Sequence, residues 1–128
     1  MKSGPVIGLA ATALLSIASS ASSTAVAQNA PPTYQADPSV YKIVLENEYF
    51  RVIEAIRKPG VHDKLHSHPV PSVVIELNDY TGKIYNADGT TGVNNNKAGA
   101  VAAIPIIASH SAENIGTTDC HEIFVERK

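Results

Sequence analysis

From residue 40 to the C-terminus the chain is cut into short β-branched and aromatic runs by turn signals spaced about ten residues apart, and that spacing leaves little room for anything but strands. Residues 40–45 and 49–57 read as two strands joined through Glu46-Asn47-Glu48, and Lys58-Pro59-Gly60 closes the second. Residues 66–68 open a further strand, Pro69 and Pro71 interrupt its ladder, and residues 73–77 continue it, an arrangement suited to a sheet edge or a bulge. Residues 78–82 read as a turn, 83–85 as a short strand, and Asp88-Gly89 as a hairpin signal. Residues 100–104 and 106–111 flank Pro105, and 120–127 form the last strand after the turn at 116–119. About seven to nine short strands with no amphipathic helical stretch define an all-β sandwich or barrel.

Upstream of that region the composition changes. Residues 1–27 have the form of a secretory signal peptide: Lys2 at the start, an apolar run over 6–18, and the small-x-small site Ala25-Val26-Ala27. The apolar run is shorter than the ~20 residues a membrane span needs. A secreted or periplasmic protein with no membrane span after cleavage is therefore expected. Residues 28–39, rich in proline and polar side chains, read as an extended or mobile arm, and residues 40–128 as one domain. Without the leader, nine of the 10 basic residues stand against 12 acidic ones, a net charge of −3. No basic stripe is present to attract phosphate backbones, which argues against nucleic acid as a partner. The single cysteine, Cys120, precludes an intrachain disulfide and reads as a small buried hydrophobe. Its neighbour His121 cannot form a dyad with it along a strand, because consecutive side chains point to opposite faces.

Chemistry concentrates in two stretches. His66 and His68 are one residue apart, so in a strand they project from the same face and can share one ion. His110, in a second strand-like run about forty residues later, supplies a third imidazole. Three imidazoles converging from two strands would satisfy a divalent transition metal and leave coordination positions open. Fe(II), Ni, Cu, Zn and Mn(II) all suit such a donor set.

At these residues the chain resembles the cupin family. The first cupin motif reads Gly, five residues, His-x-His, three or four residues, Glu, six residues, Gly; Gly60, His66 and His68 match it, while Ser72 or Val73 stands where the glutamate belongs. The second reads Gly, five residues, Pro-x-Gly, two residues, His, three residues, Asn; Gly99, Pro105, His110 and Asn114 fall in register, with Ile107 replacing the middle glycine. The resemblance spans roughly residues 41–126. The resemblance implies a double-stranded β-helix, the cupin jelly-roll barrel, whose mouth is a concave and largely apolar pocket for a small-molecule ligand or substrate. It also implies a homodimer formed through an outer sheet face.

The missing glutamate admits two readings. In the favoured one the site holds three histidines only, with water or substrate in the vacant positions, an arrangement similar to the thiol and diketone dioxygenases among cupins. In the other, Glu76 takes over as ligand if the segment 69–71 bulges; along an unbulged strand it would lie about 13 Å beyond Ser72 at ~3.3 Å per residue. His62 and His121 are further candidates, as a fourth ligand or proton shuttle, and solvated or strand-bound roles are the simpler assignments for both. Asn114 is expected to pin the turn after the second motif, and Arg51 and Glu54 to be solvated. No phosphate loop, nucleophile elbow or CxxC pair occurs. The function that follows is a metal-binding cupin, either an Fe(II) oxidoreductase of the dioxygenase type acting on a small organic substrate or a non-catalytic binder of a small ligand or metal.

Overall fold

The computed structural model describes residues 29–128, so the leader expected over residues 1–27 lies outside them. Among the described residues nine strands form two sheets. Tyr41–Glu46 (β1), Phe50–Arg57 (β2), Ser72–Glu76 (β4), Val101–Ile104 (β7) and Cys120–Arg127 (β9) make a five-stranded sheet in the order β1-β2-β9-β4-β7. His66–His68 (β3), Tyr80–Asn86 (β5), Thr91–Asn96 (β6) and Ile107–Asn114 (β8) make a four-stranded sheet in the order β3-β8-β5-β6. Every strand pairing within the sheets is antiparallel. The expected all-β, double-stranded β-helix architecture is what the chain adopts.

Strand alternation sorts the side chains. Along β9, Cys120, Glu122, Phe124 and Glu126 point between the sheets, while His121, Ile123 and Val125 alternate outward. Across the middle of the larger sheet, Phe124 stands opposite Ile53 on one side and Val74 on the other, and with Val40, Tyr41 and Ala55 these form the apolar core. Each buried aliphatic or aromatic side chain contributes about 1.5–3 kcal/mol. Other buried positions are polar, and among them Arg57, Glu76, Glu122 and the three histidines line a cavity instead of filling it.

Proline decides where the chain changes sheets. Residues 66–77 do not form one interrupted strand, as the sequence suggests: β3 belongs to the four-stranded sheet and β4 to the five-stranded one, with Pro69 and Pro71 in the crossover. Proline offers no N–H to a ladder, and two in three residues end the pairing outright. Pro105 marks the corresponding step from β7 to β8. β3 is an edge strand, and its register with β8 shifts between His66 and His68, so the expectation of an edge or bulge is met there.

Two further departures from the sequence reading affect the cavity. Residues 80–82 are strand, not turn, because Tyr80, Thr81 and Gly82 pair with Asn96, Asn95 and Asn94. The β6 segment, Thr-Gly-Val-Asn-Asn-Asn, has little intrinsic strand preference and is held by its partner β5. Nor are residues 29–39 a free arm. They carry a one-turn helix at Thr33–Ala36 and bond to the barrel, with Ala30 N donating to the Ala108 carbonyl at 3.0 Å and Ser67 N to the Pro31 carbonyl at 2.8 Å. Among the described residues no helix is long and apolar enough to cross a membrane.

Candidate metal centre

His66 and His110 are direct cross-strand partners on β3 and β8, and alternation brings His68 to the same face as His66. Their rings meet edge to face, with centroids 4.6 Å apart for His66 and His110, 5.0 Å for His68 and His110, and 5.3 Å for His66 and His68. One ligand nitrogen from each lies within 4.8 Å of the other two. Both motif glycines adopt the left-handed region, Gly60 at φ 80° and Gly99 at φ 83°, where a side chain would be strained. After Gly60 the chain runs beside β8, through bonds from Gly60 N to the Asn114 carbonyl at 2.8 Å and from Asp63 N to the Ala112 carbonyl at 2.9 Å. That path delivers His66 to its place opposite His110.

Burial keeps the three rings neutral. It lowers the pKa of His66, against an opposing pull from Asp63. It lowers His68 to about 3 and His110 to about 4, with the neighbouring imidazoles adding to the effect. Neutral imidazole is the form that binds a cation. Nδ1 of His66 lies 2.8 Å from the Lys64 carbonyl, an arrangement that makes Nδ1 the protonated nitrogen and leaves Nε2 with a free lone pair. Behind it Asp63 is fixed by the Tyr41 hydroxyl at 2.6 Å and the Ala112 N–H at 2.7 Å, and sits 3.5 Å from Nδ1.

Two buried nitrogens of the trio, Nδ1 of His68 and Nε2 of His110, have no hydrogen-bond partner. Unpaired buried polar atoms are costly, so their grouping in one place calls for a ligand. Bonds of about 2.0–2.1 Å at tetrahedral angles put the nitrogens on one ion about 3.4 Å apart, so a trio within 4.8 Å of one another needs to draw together by little more than an ångström. The residues present fit a transition metal.

The trio opens into a cavity of about 220 Å³ between the sheets. Val74, Ile84, Ala102, Ile104, Ala112 and Phe124 give it apolar walls, and Asn94 and Asn96 add amides from β6. On the opposite sheet Glu76 and Glu122 are cross-strand partners, both buried and both facing the cavity. Glu122 is ion-paired with buried Arg57 and accepts the Tyr80 hydroxyl at 2.6 Å. Arg57 Nε also lies 3.3 Å from Asp63, out of line for a hydrogen bond. Glu76 Oε2 has no partner, and burial together with Glu122 pushes its carboxyl up to about 7.

Of the additional candidates none joins the trio. Glu76 shares the cavity but stands outside the converging group, since the crossover at 69–71 places it on the other sheet. His62 is exposed, bonded to Ser111 Oγ at 2.8 Å and stacked on Tyr85 at 4.5 Å. His121 points out of the barrel and meets Glu54 at 2.8 Å. Ser72 is buried beside Glu126 on its neighbouring strand and does not line the cavity. Cys120 is fully buried, as expected. Asn114, also fully buried, pins the following turn through the carbonyls of Arg57 and Thr118, both at 2.8 Å, and the Gly116 N–H at 3.0 Å. Arg51 is not simply solvated: it is half-buried, paired with Glu46 at 2.9 Å and lying over the Tyr34 ring.

Sequence reading missed Tyr41, Arg57, Asp63, Tyr80 and Glu122. The one available signal was that Arg57 shares parity with Ile53 and Ala55 along β2.

Two antiparallel sheets, crossovers at the prolines and three inward histidines define a cupin double-stranded β-helix with a site compatible with metal binding. Solved structures share this fold. A cupin domain from Bordetella pertussis Tohama I is 19% identical, with 79% of this chain and 98% of that one aligned at a TM-score of 0.65. An RmlC-like cupin family protein with a double-stranded β-helix fold from Methanocaldococcus jannaschii is 14% identical over 69% of this chain and 78% of that one, TM-score 0.57. A conserved protein with a double-stranded β-helix domain from Klebsiella pneumoniae is 21% identical over 69% and 75%, TM-score 0.56. At these identities the likeness is one of fold. No protein-family model matches the chain, and no curated protein matches it.

Proposed function

We propose that the protein is an exported metal-dependent cupin in which His66, His68 and His110 hold a divalent transition metal and the adjoining cavity receives a small organic molecule. The observation that carries this reading is the convergence of three neutral imidazoles on one point, two of their nitrogens buried without partners, at the wall of that cavity. Within it, an Fe(II) oxidoreductase of the dioxygenase type is the favoured activity, since three imidazoles and no carboxylate leave positions free. Such a metal supplies Lewis acidity and, as Fe(II), O2 activation. The chain's own contribution is to orient and enclose: Val74, Ile104 and Phe124 offer apolar walls to the bound molecule, while Asp63 and the Lys64 carbonyl hold the His66 ring.

Export is supported by the composition of residues 1–27 alone. A homodimer is supported by the outer face of the five-stranded sheet, where Val52, Val125, Val73 and Ala103 stand in one cross-strand row. Light scattering of the wild type and of Val73→Lys tests that part.

Elemental analysis of the purified protein, followed by titration with Fe(II) and Zn(II), tests the centre: about one ion per chain in the wild type and none in His110→Ala. O2 consumption by the Fe(II)-loaded protein with panels of thiols, β-diketones and flavonols tests the activity. Failure of the wild type to bind any metal overturns the centre; binding without O2 uptake leaves a ligand-binding cupin.

A further inference from the structure

Most buried acids in this barrel are accounted for. Asp63 is held by Tyr41 and the Ala112 N–H, and Glu126 lies 3.4 Å from Arg51. Glu76 is different. It faces Glu122 directly across the β4–β9 ladder, and Arg57, the one cation beside the pair among the described residues, is ion-paired with Glu122. The Tyr80 hydroxyl is likewise spent on Glu122. Glu76 is 7% exposed, and its Oε2 reaches the cavity wall with nothing to bond.

Two adjacent buried carboxyls beside one arginine cannot both be charged at low cost. Arg57 and the Tyr80 hydroxyl both bond Glu122, and neither reaches the free oxygen of Glu76. Glu76 becomes the member whose proton comes and goes at neutral pH, consistent with the upward displacement that burial and Glu122 impose on it. A group that titrates near neutrality inside a ligand cavity is suited to proton exchange.

We propose that Glu76 is a ligand-contacting acid–base residue: held against Glu122 on the β4–β9 wall, it takes the proton from the hydroxyl of a small, weakly acidic molecule seated in the histidine-lined cavity. The ligand O–H bond breaks, an Oε2–H bond forms on Glu76, and the electron pair stays on the ligand oxygen. Neither oxidant nor reductant is required. Ionisation of this kind matches an oxygen donor to a cation centre of neutral imidazoles, while the apolar remainder of the ligand packs on Val74, Ile104 and Phe124. Glu122 is a positioning residue, acting through Glu76. This assignment rests on the cavity being a ligand chamber as proposed above.

Two measurements decide it. In the metal-free protein, carbon-13 NMR of the glutamate carboxyls should show Glu76 titrating near neutrality, and Glu122→Gln should return it towards the ordinary carboxylate range; titration of wild-type Glu76 in that ordinary range overturns the proposal whether or not any metal binds. With zinc-loaded protein and 4-nitrocatechol as probe, whose absorbance reports its ionisation, the wild type should take up the anion. At equal zinc occupancy the wild type should bind the anion progressively more weakly from about pH 7 to 8.5, approaching tenfold per pH unit, as the free protein loses the Glu76 proton that the complex retains, and Glu76→Gln, which stands in for the protonated carboxyl, should lack that decline. Equal affinity and equal pH profile for the two proteins overturn the proposal. Absence of zinc binding in the wild type overturns the metal centre instead and leaves the NMR titration to decide on Glu76.

Discussion

Replacing Glu76 by Gln is expected to make the fold more stable in mild alkali and to change little in acid. Glu76 is buried opposite Glu122, and its carboxyl is pushed from the ordinary 4.5 up to about 7 by burial first and by Glu122 second. For an acid displaced upwards, the native state holds its proton more tightly than the unfolded chain. Its contribution to stability is therefore complete below about pH 4.5 and is lost as pH rises to about 7. The whole displacement corresponds to about 3.4 kcal/mol at 1.36 kcal/mol per pH unit. Glu122 lies directly opposite and the cavity admits solvent, so about half of that, roughly 1.5–2 kcal/mol, is the working figure. In a domain of about 100 residues this equals roughly 7–10 °C in melting temperature. Circular dichroism melts of metal-free wild type and Glu76→Gln at about pH 4.5 and 8.5 provide the assay. The variant should gain most of that difference only at the higher pH. Parallel melting curves at both pH values would refute the claim that the pair is electrostatically strained.

The remaining predictions concern other parts of the barrel. Zinc at a hundred times its dissociation constant should stabilise the wild type by about 2.7 kcal/mol, and His110→Ala should remove that gain, as read by thermal melts with and without metal. His68 and His110 are displaced downwards, to about 3 and about 4, so the metal-free fold should lose stability as pH falls from about 6.5 towards 4; urea midpoints at pH 7 and 5 measure this, and a His68→Gln/His110→Gln double variant should show a smaller decline. Asn114→Ala removes three hydrogen bonds, one buried and two part-buried, and should cost about 3 kcal/mol with no compensating pH dependence, checked by denaturant unfolding.

What the sequence disclosed and what it withheld divide along strand parity. His66, His68 and His110 were legible because a His-x-His pair fixes its own parity and the second motif fixes the offset of the third ring. Asn114 and Cys120 were legible for similar reasons, one from its motif position and the other from an apolar run. Glu122 was not. In Cys120-His-Glu-Ile-Phe-Val-Glu-Arg127 either alternate set contains two apolar residues and two polar or charged ones, so hydrophobic alternation cannot say which face is inward. Packing of Phe124 against Ile53 and Val74 makes the choice, and with it come Glu122 and Glu126. The error over residues 66–77 had a different source: two prolines were read as a fault within a strand, whereas they mark a change of sheet. That is why Glu76 came to be weighed as a ligand beside His68 and is found instead across the cavity. The strand over Thr91–Asn96 carries no propensity signal and exists through its pairing with Tyr80–Asn86.

Pro31 and Pro32 lie alongside Ser67, on the flank of β3 that no other strand occupies. By covering that flank with its own chain, and with prolines that offer no N–H to an incoming strand, the protein caps a surface on which a second molecule could otherwise zip. A truncated version beginning at residue 40 should be sticky, forming concentration-dependent aggregates nucleated beside the histidine pair, where the longer chain stays dispersed.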